Sequence, residues 1–199
     1  MNKILLDIPQ QIETPKLILQ MPKAGFGKKL HKAITDGYDD YIKYLNWPRE
    51  IASEEAVEID CRKHNAEFIT RECIRYLIIE KDTGEVVGRC AFPPILTTWD
   101  VPQFGISYFV AKSKRSKGYA TEASHALTIL AFKILKAKKV EIYCEVENIP
   151  SNIVPQKLNF KLEYTKRGWW PRPDGQLAEL NVYSIFSEND LPELKLCRW

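Results

Sequence analysis

A mixed α+β fold is predicted by two changes in the hydrophobic period of this 199-residue sequence. After one β-prone stretch, apolar residues recur at helical spacing to about residue 69. From Ile74 the period is two, with hairpin chemistry between the runs. Beyond residue 104, strand, helix, strand, helix and a closing hairpin follow in turn.

In order, Thr14–Gln20 alternates and reads as the first strand. Ala24–Thr35 and Asp39–Trp47 read as helices, the second stopped by Pro48. Ser53 caps a third that runs through Ile59 to about Ile69, with Glu54 and Glu55 placed favourably for the dipole. Tyr76–Glu80 and Glu85–Phe92 flank Lys81-Asp-Thr-Gly84 as a hairpin, ended by Pro93 and Pro94. Phe104–Val110 is a strand. The helix after Gly118 carries Ala123, Leu127, Leu130 and Ile134, widened by Ile129, Phe132 and Leu135, so it lies buried against a sheet. Val140–Val146 is a strand and Ser151–Leu158 a short helix. Phe160–Lys166 and Leu177–Phe186 close the fold around Pro173-Asp-Gly175.

Apolar content of 45% and charged content of 28% describe an ordinary globular chain, long enough to bury about 70% of its unfolded surface in one core. One domain over residues 1–199 is expected. A net charge of +3, evenly spread, does not point to nucleic acid. Cys61, Cys73, Cys90, Cys144 and Cys197 are odd in number and lack C-x-x-C spacing, which fits reduced thiols in the cytosol. No apolar run reaches the ~20 residues of a membrane span, and Ile4-Leu5-Leu6 is too short for a signal peptide. His31, His64 and His125 stand far apart, and Cys61 with His64 offers two ligands at most, so no metal site is expected.

Chemistry concentrates between Ser107 and Ala123, where a strand enters a polar turn and the turn opens a helix. The free N–H groups and dipole of that helix end form a cradle for phosphate, with Lys114, Arg115 and Lys117 adding charge. Gly118 admits a ligand close to the backbone, and Ala120 keeps the next turn small. Neither G-x-x-x-x-G-K-[ST] nor G-x-G-x-x-G occurs, which leaves out the common nucleotide loops. The pattern present, Arg115-x-x-Gly118-x-Ala120, resembles the acyl-CoA pyrophosphate loop of the GNAT acetyltransferases. Gly118-Tyr-Ala-Thr-Glu-Ala123 and the opening Glu13-Thr-Pro-Lys-Leu-Ile-Leu are similar to the RimJ/RimL branch. A second match, Glu147-Asn-Ile-Pro-Ser151 with Lys157-Leu-Asn-Phe-Lys-Leu-Glu163, resembles that family's N-x-x-S and K-L-G-F-x-x-E segments.

The resemblance implies a central, mostly antiparallel twisted sheet whose two middle strands splay to admit the pantetheine arm. It implies acetyl transfer from acetyl-CoA to a primary amine, on a protein N-terminus or a small molecule, by direct attack in a ternary complex and without a metal. On this basis Ser116, Lys117, Gly118, Tyr119, Ala120 and Thr121 join Arg115 at the phosphates, while Phe109 and Val110 offer backbone to the arm. Asn148 would anchor the arm or the turn, and Ser151 would either protonate the leaving thiolate or cap its helix. Gly105 stands where many relatives carry Glu, so the candidate bases are Glu179 first and Glu145 second. Asn159 replaces the usual Gly, and Asn tolerates the left-handed conformation. Trp169 and Trp170, with Trp47 and Trp99, either line an acceptor pocket or pack. A cytoplasmic monomer or homodimer is expected, with no membrane and no nucleic-acid partner. The alternative is a GNAT-like module that binds CoA or a protein without catalysis.

Overall fold

The computed structural model describes residues 2–44, 50–169, 171–172 and 175–193. The expected first strand is the second arm of a hairpin, β1 (Gln11–Glu13) and β2 (Leu17–Gln20). Thr14 makes the turn between them. Its N–H donates to the Leu17 carbonyl at 2.9 Å, and its hydroxyl accepts the Leu17 N–H at 3.0 Å. Helices α1 (Gly27–Thr35), α2 (Tyr38–Tyr44) and α3 (Glu54–Thr70) follow; the expected end of the second, at residues 45–47, lies outside the described residues. Ser53 caps α3, its Oγ accepting the Ala56 N–H at 3.2 Å.

The predicted meander is present as β3 (Ile74–Glu80), β4 (Val86–Phe92), the two-residue β5 (Thr97–Thr98) and β6 (Gln103–Val110). Then come α4 (Tyr119–Lys133), β7 (Lys139–Glu145), α5 (Ile149–Lys157), β8 (Lys161–Lys166) and β9 (Leu180–Ile185). Among the described residues these strands form one sheet in the order β1-β2-β3-β4-β6-β7-β9-β8, with β5 on β6.

All neighbouring pairs are antiparallel except β6 and β7, which are parallel. That parallel pairing covers Gln103–Ile106 against Lys139–Ile142 and then stops. Beyond it, Ser107–Val110 pairs with β4 alone, while Tyr143–Glu145 pairs with β9 alone. The two strands therefore part at mid-sheet and leave polar backbone edges facing each other.

Alternation sorts the core onto two faces. Ile106, Val110, Ile142 and Cys144 share one core with Leu127 and Leu130 of α4. Phe109 and Leu77, on the opposite face, pack with Leu30, Tyr41 and Cys61 of the first three helices. Buried Glu122 of α4 ties the far edge to the middle. Its Oε1 accepts the Thr14 hydroxyl at 2.6 Å and the Lys16 N–H at 2.7 Å. Two segments 108 residues apart that both match the RimJ/RimL pattern are thus one hydrogen-bonded unit, which holds the start of α4 in place.

Candidate active site

A cavity of about 530 Å³ fills the space between the parted strands and runs to the start of α4. Of the residues singled out from sequence, it brings together Phe109, Val110, Arg115, Ser116, Gly118, Tyr119, Ala120, Thr121, Glu145, Asn148 and Ser151. Lys117 and Glu179 are not among its lining residues.

At the helix end, Gly118 has φ +84°, a conformation costly for other residues, and a Cβ there would meet nothing within 4 Å. The space above it is open. No acceptor among the described residues takes the N–H groups of Gly118, Tyr119, Ala120 or Thr121, as a phosphate cradle requires. The cations differ from the sequence expectation, because each already has a carboxylate. Lys114 pairs with Glu80 at 2.6 Å and Glu85 at 2.7 Å, Lys117 with Glu80 at 3.1 Å, and Arg115 with Asp40 at 2.6 Å. Hydrogen bonds from Lys114, then Tyr119 and Thr83, hold the Glu80 carboxyl well below the usual range. Lys114 and Lys32 bring Glu85 to about 2. These side chains brace the loop, and the backbone provides the open donors.

Along β6 the backbone alternates between its two neighbours. The Ala111 N–H donates to the Val87 carbonyl at 2.8 Å, so odd positions point at β4 and even ones at the gap. The Phe109 carbonyl lies where a Cβ on Gly88 would stand, on the β4 side. Phe109 thus corrects the expectation: it offers the cavity its ring, which packs tilted against Tyr41 with centroids 5.1 Å apart, and turns its backbone away. Val110 does face the gap. Its carbonyl already accepts the Tyr41 hydroxyl at 2.8 Å and Arg115 Nε at 3.3 Å. Its N–H and the backbone of Tyr108 are the groups left on that edge.

Asn148, not Ser151, caps α5, its Oδ1 accepting the Ser151 N–H at 3.3 Å. Buried Asn152 fixes this start further, donating to the Glu145 carbonyl at 2.8 Å and accepting from Tyr183 and Asn181. Ser151 therefore sits in the first turn, with Pro155 inside the helix rather than at its beginning. Proline has no N–H for the carbonyl four residues back, and that carbonyl belongs to Ser151. Two donors from outside the helix take it, the Tyr108 hydroxyl at 3.1 Å and Cys144 Sγ at 3.3 Å. Ser151 Oγ also lies 3.1 Å from the Tyr108 oxygen and 3.2 Å from Cys144 Sγ. Tyr108 and Cys144 donate to the carbonyl, and the Ser151 hydroxyl donates to Cys144 Sγ, a weak acceptor that it can leave for a ligand. Burial pushes the Cys144 thiol up to about 11, so it is not a ready nucleophile. Tyr108 escaped the sequence reading because it stands in a core-like strand; its alternation with Phe109 was the available signal.

The two candidate bases separate sharply. The Glu145 side chain is 2% exposed, lines the cavity and pairs with Arg172 at 3.0 Å. Glu179 lies before β9, is 50% exposed and pairs with Arg167 at 3.5 Å. At Gly105 a Cβ would stand 2.5 Å from the Leu96 side chain. Leu96, which lines the cavity, occupies the place a carboxylate from β6 would need. Trp169 also lines it and stacks on Tyr143 at 6.1 Å, under Lys166 Nζ at 3.7 Å. Trp99 packs on Phe104 instead, and Trp47 and Trp170 lie outside the described residues. No group of metal-ligating side chains occurs among the described residues.

Known proteins share this architecture. The ribosomal L7/L12 α-N-protein acetyltransferase RimL, solved with coenzyme A, superposes with TM-score 0.79 at 20% identity, over 91% of this chain and 98% of that one. The microcin C7 self-immunity acetyltransferase MccE, solved with acetyl-CoA and AMP, gives 0.77 at 19%, over 87% and 94%. An uncharacterized N-acetyltransferase, p20 of Bacillus licheniformis, is 31% identical over 111 residues, 56% of this chain and 61% of that protein. The model of the acetyltransferase (GNAT) domain matches residues 29–161, a span that runs from α1 through the phosphate cradle and α5 to the start of β8, and the chain belongs to that family.

Proposed function

We propose that this protein is an acetyl-CoA-dependent N-acetyltransferase acting on a primary amine. The observation that carries the reading is the continuity of one cavity from the open N–H cradle at Gly118–Thr121 to the Ser151 hydroxyl. The residues fit CoA at both ends: an anion cradle for the pyrophosphate, and a strand edge with free donors for the amides of the arm. Bound there, acetyl-CoA supplies an activated acetyl thioester.

The chain's part is to hold, orient and move protons. The amine arrives as an ammonium, with a pKa of about 8 to 10.4, and must lose a proton before it attacks. Its C–N bond then forms as the C–S bond breaks, and the departing sulfur takes a proton. The N–H groups of Tyr108 and Val110 point toward the gap, where a thioester oxygen would gain charge. Ser151 Oγ donates to the sulfur, and Tyr108 positions it through the carbonyl that Pro155 leaves open. Glu145 is placed to receive the amine's proton through water, ahead of Glu179, because it lines the cavity. Arg172 beside it stabilises its charge.

The acceptor is a peptide or protein N-terminus, the kind of substrate that RimL is named for, or a small amine. The chain acts as one domain over 1–199 in the cytoplasm, as monomer or homodimer; no described helix is long and apolar enough to cross a membrane. Incubation with acetyl-CoA and a panel of peptides and small amines tests the reading. Thiol release and an acetylated product should exceed the no-enzyme rate for at least one acceptor. Thermal stabilisation by CoA with no product on the whole panel would favour a binding module, in keeping with Leu96 in the carboxylate's place.

A further inference from the structure

One strand away from the cavity, on the face covered by the first three helices, stands a cation without a counter-ion. Arg89 of β4 lies opposite Phe109, and its guanidinium carbon sits 5.6 Å from the centre of that ring. No hydrogen bond or ion pair engages it among the described residues, although every cation of the phosphate loop has a carboxylate. Arg75 shares its face through the pairing of Arg75 with Ala91 and of Leu77 with Arg89, and is held by Glu67 at 3.1 Å. His64, on the overlying α3, has a buried Nδ1 with no partner. Burial first, and then Arg75, Arg89 and Lys63, push its imidazole down to about 3; the recess is positive. Burial, with Arg75, also lowers the Arg89 guanidinium to about 10. Asp60 of α3 acts on Arg89 only at a distance.

This recess adjoins the cavity wall: Arg89 pairs with Phe109 and Ala91 with Ser107, and Phe109 and Ser107 line the cavity, although Arg89, Arg75 and His64 do not line it themselves. Ser107, which lines the cavity and is exposed at mid-sheet, lies beside Ala91 on the same face. Small Ala91 stands between Ser107 and Arg75 across the sheet, while Leu96 packs over Gly105. An uncompensated, desolvated charge is unfavourable unless something else meets it. Guanidinium is also the group whose forked donors match an oxyanion.

We propose that Arg89, with Arg75 and His64 around it, is an acceptor-side anion site that takes a carboxylate or phosphate carried by the amine substrate. Strand spacing sets that group about 5–10 Å from the acetylated nitrogen, one to two strands away. The substrate class is thus an acidic amine, such as a peptide with an acidic residue near its free N-terminus. The proposal rests on the transferase reading above.

The test uses short peptides with a free amine, matched except for Glu, phosphoserine or Gln at the first, second or third residue. At least one acidic register should exceed its Gln partner tenfold or more in kcat/KM, and the Glu and phosphoserine arms separate the two oxyanions. Arg89→Met should bring that ratio to about one, mainly through KM, while CoA still raises Tm. Arg89→Lys, which keeps charge but loses the fork, should retain part of it. Arg89→Met should also melt at or above the parent's Tm, because it removes an unpaired cation, so lost preference is not unfolding. Equal use of acidic and neutral peptides by the parent, or an unchanged ratio in Arg89→Met, would overturn the site. If CoA binds but no peptide is acetylated, the transferase reading fails separately. The same peptides titrated against the CoA-bound protein then decide the site: acidic preference lost in Arg89→Met supports it, and no preference overturns it.

Discussion

The two ends of the cavity solve opposite problems. At the phosphate end Lys114, Arg115 and Lys117 are all neutralised by Glu80, Glu85 and Asp40, and the open donors are backbone N–H groups at the start of α4. On the acceptor side the groups are side chains: Glu145 of β7 lines the opening, and the proposed anion site adds Arg89 of β4, unpaired among the described residues, beside the cavity-lining Phe109. A constant ligand can be met by fixed backbone, which no point mutation removes easily. A variable one is met by side chains, and the two ends should respond differently to substitution.

The largest expected effect is at the backbone end. Gly118→Glu would place a side chain and a negative charge in the cradle and force a left-handed backbone on a non-glycine residue. The rise in Tm caused by CoA, worth about 2.7 kcal/mol at a hundred times Kd, should disappear, while Arg115→Ala should reduce it only in part. Equal loss in both would mean that side-chain charge, not backbone, binds the phosphates.

Next come the hydroxyls. Ser151→Ala should lower kcat by roughly 10²-fold with acetyl-CoA affinity little changed. Tyr108→Phe should lower it by about tenfold, because Tyr108 acts through Ser151. In a double-mutant cycle the two losses should not add, and the pH profile should move in the Ser151 variant and stay in place in the Tyr108 one. Additive losses would make Tyr108 an independent donor.

The carboxylates are third. Glu145→Gln should lower kcat about tenfold for the true acceptor, and Glu179→Gln by less than threefold. The reverse order would return the role to the exposed residue before β9.

The smallest effect is acid loosening of the phosphate loop. Glu80 and Glu85 have lowered carboxyls in the fold, Glu85 at about 2, against about 4.3 when unfolded. Their contribution to stability is complete above that unfolded value and is lost as pH falls through the folded one. Tm should therefore drop between pH 5 and pH 2 by a few degrees, and less in Glu80→Gln. An equally steep drop in that variant would place the acid sensitivity elsewhere.

The same contrast explains what the sequence disclosed. The cradle was legible because it is contiguous: a strand, a turn with Gly118 and an apolar helix occupy 17 successive residues. The longer strands and the helices were legible from period, including Ser53 as a cap and Asn159 at φ +62°, while the short β1 and β5 carry too few residues to show one. Three things were not. Whether Lys114 or Arg115 faces a phosphate or a carboxylate depends on Glu80 and Asp40, far away in sequence. Alternation alone could not say which β6 carbonyls face the gap before the pairing of Ala111 with Val87 was known. Nor could it show that Pro155 frees the Ser151 carbonyl for Tyr108, since that needs the true start of α5 at Ile149.

The central claim is that the gap between β6 and β7 holds the thioester against Ser151 while the α4 cradle holds its phosphates. It is tested most directly by rapid-quench mass spectrometry of single turnovers, with acetyl-CoA, an amine accepted by the parent and saturating protein. Acetylated amine should form in the parent without any acetylated-protein intermediate, about 10²-fold more slowly in Ser151→Ala, and at the no-enzyme rate in Gly118→Glu. Transfer at the parent rate in Gly118→Glu, or an acetyl group found first on Cys144, would contradict it.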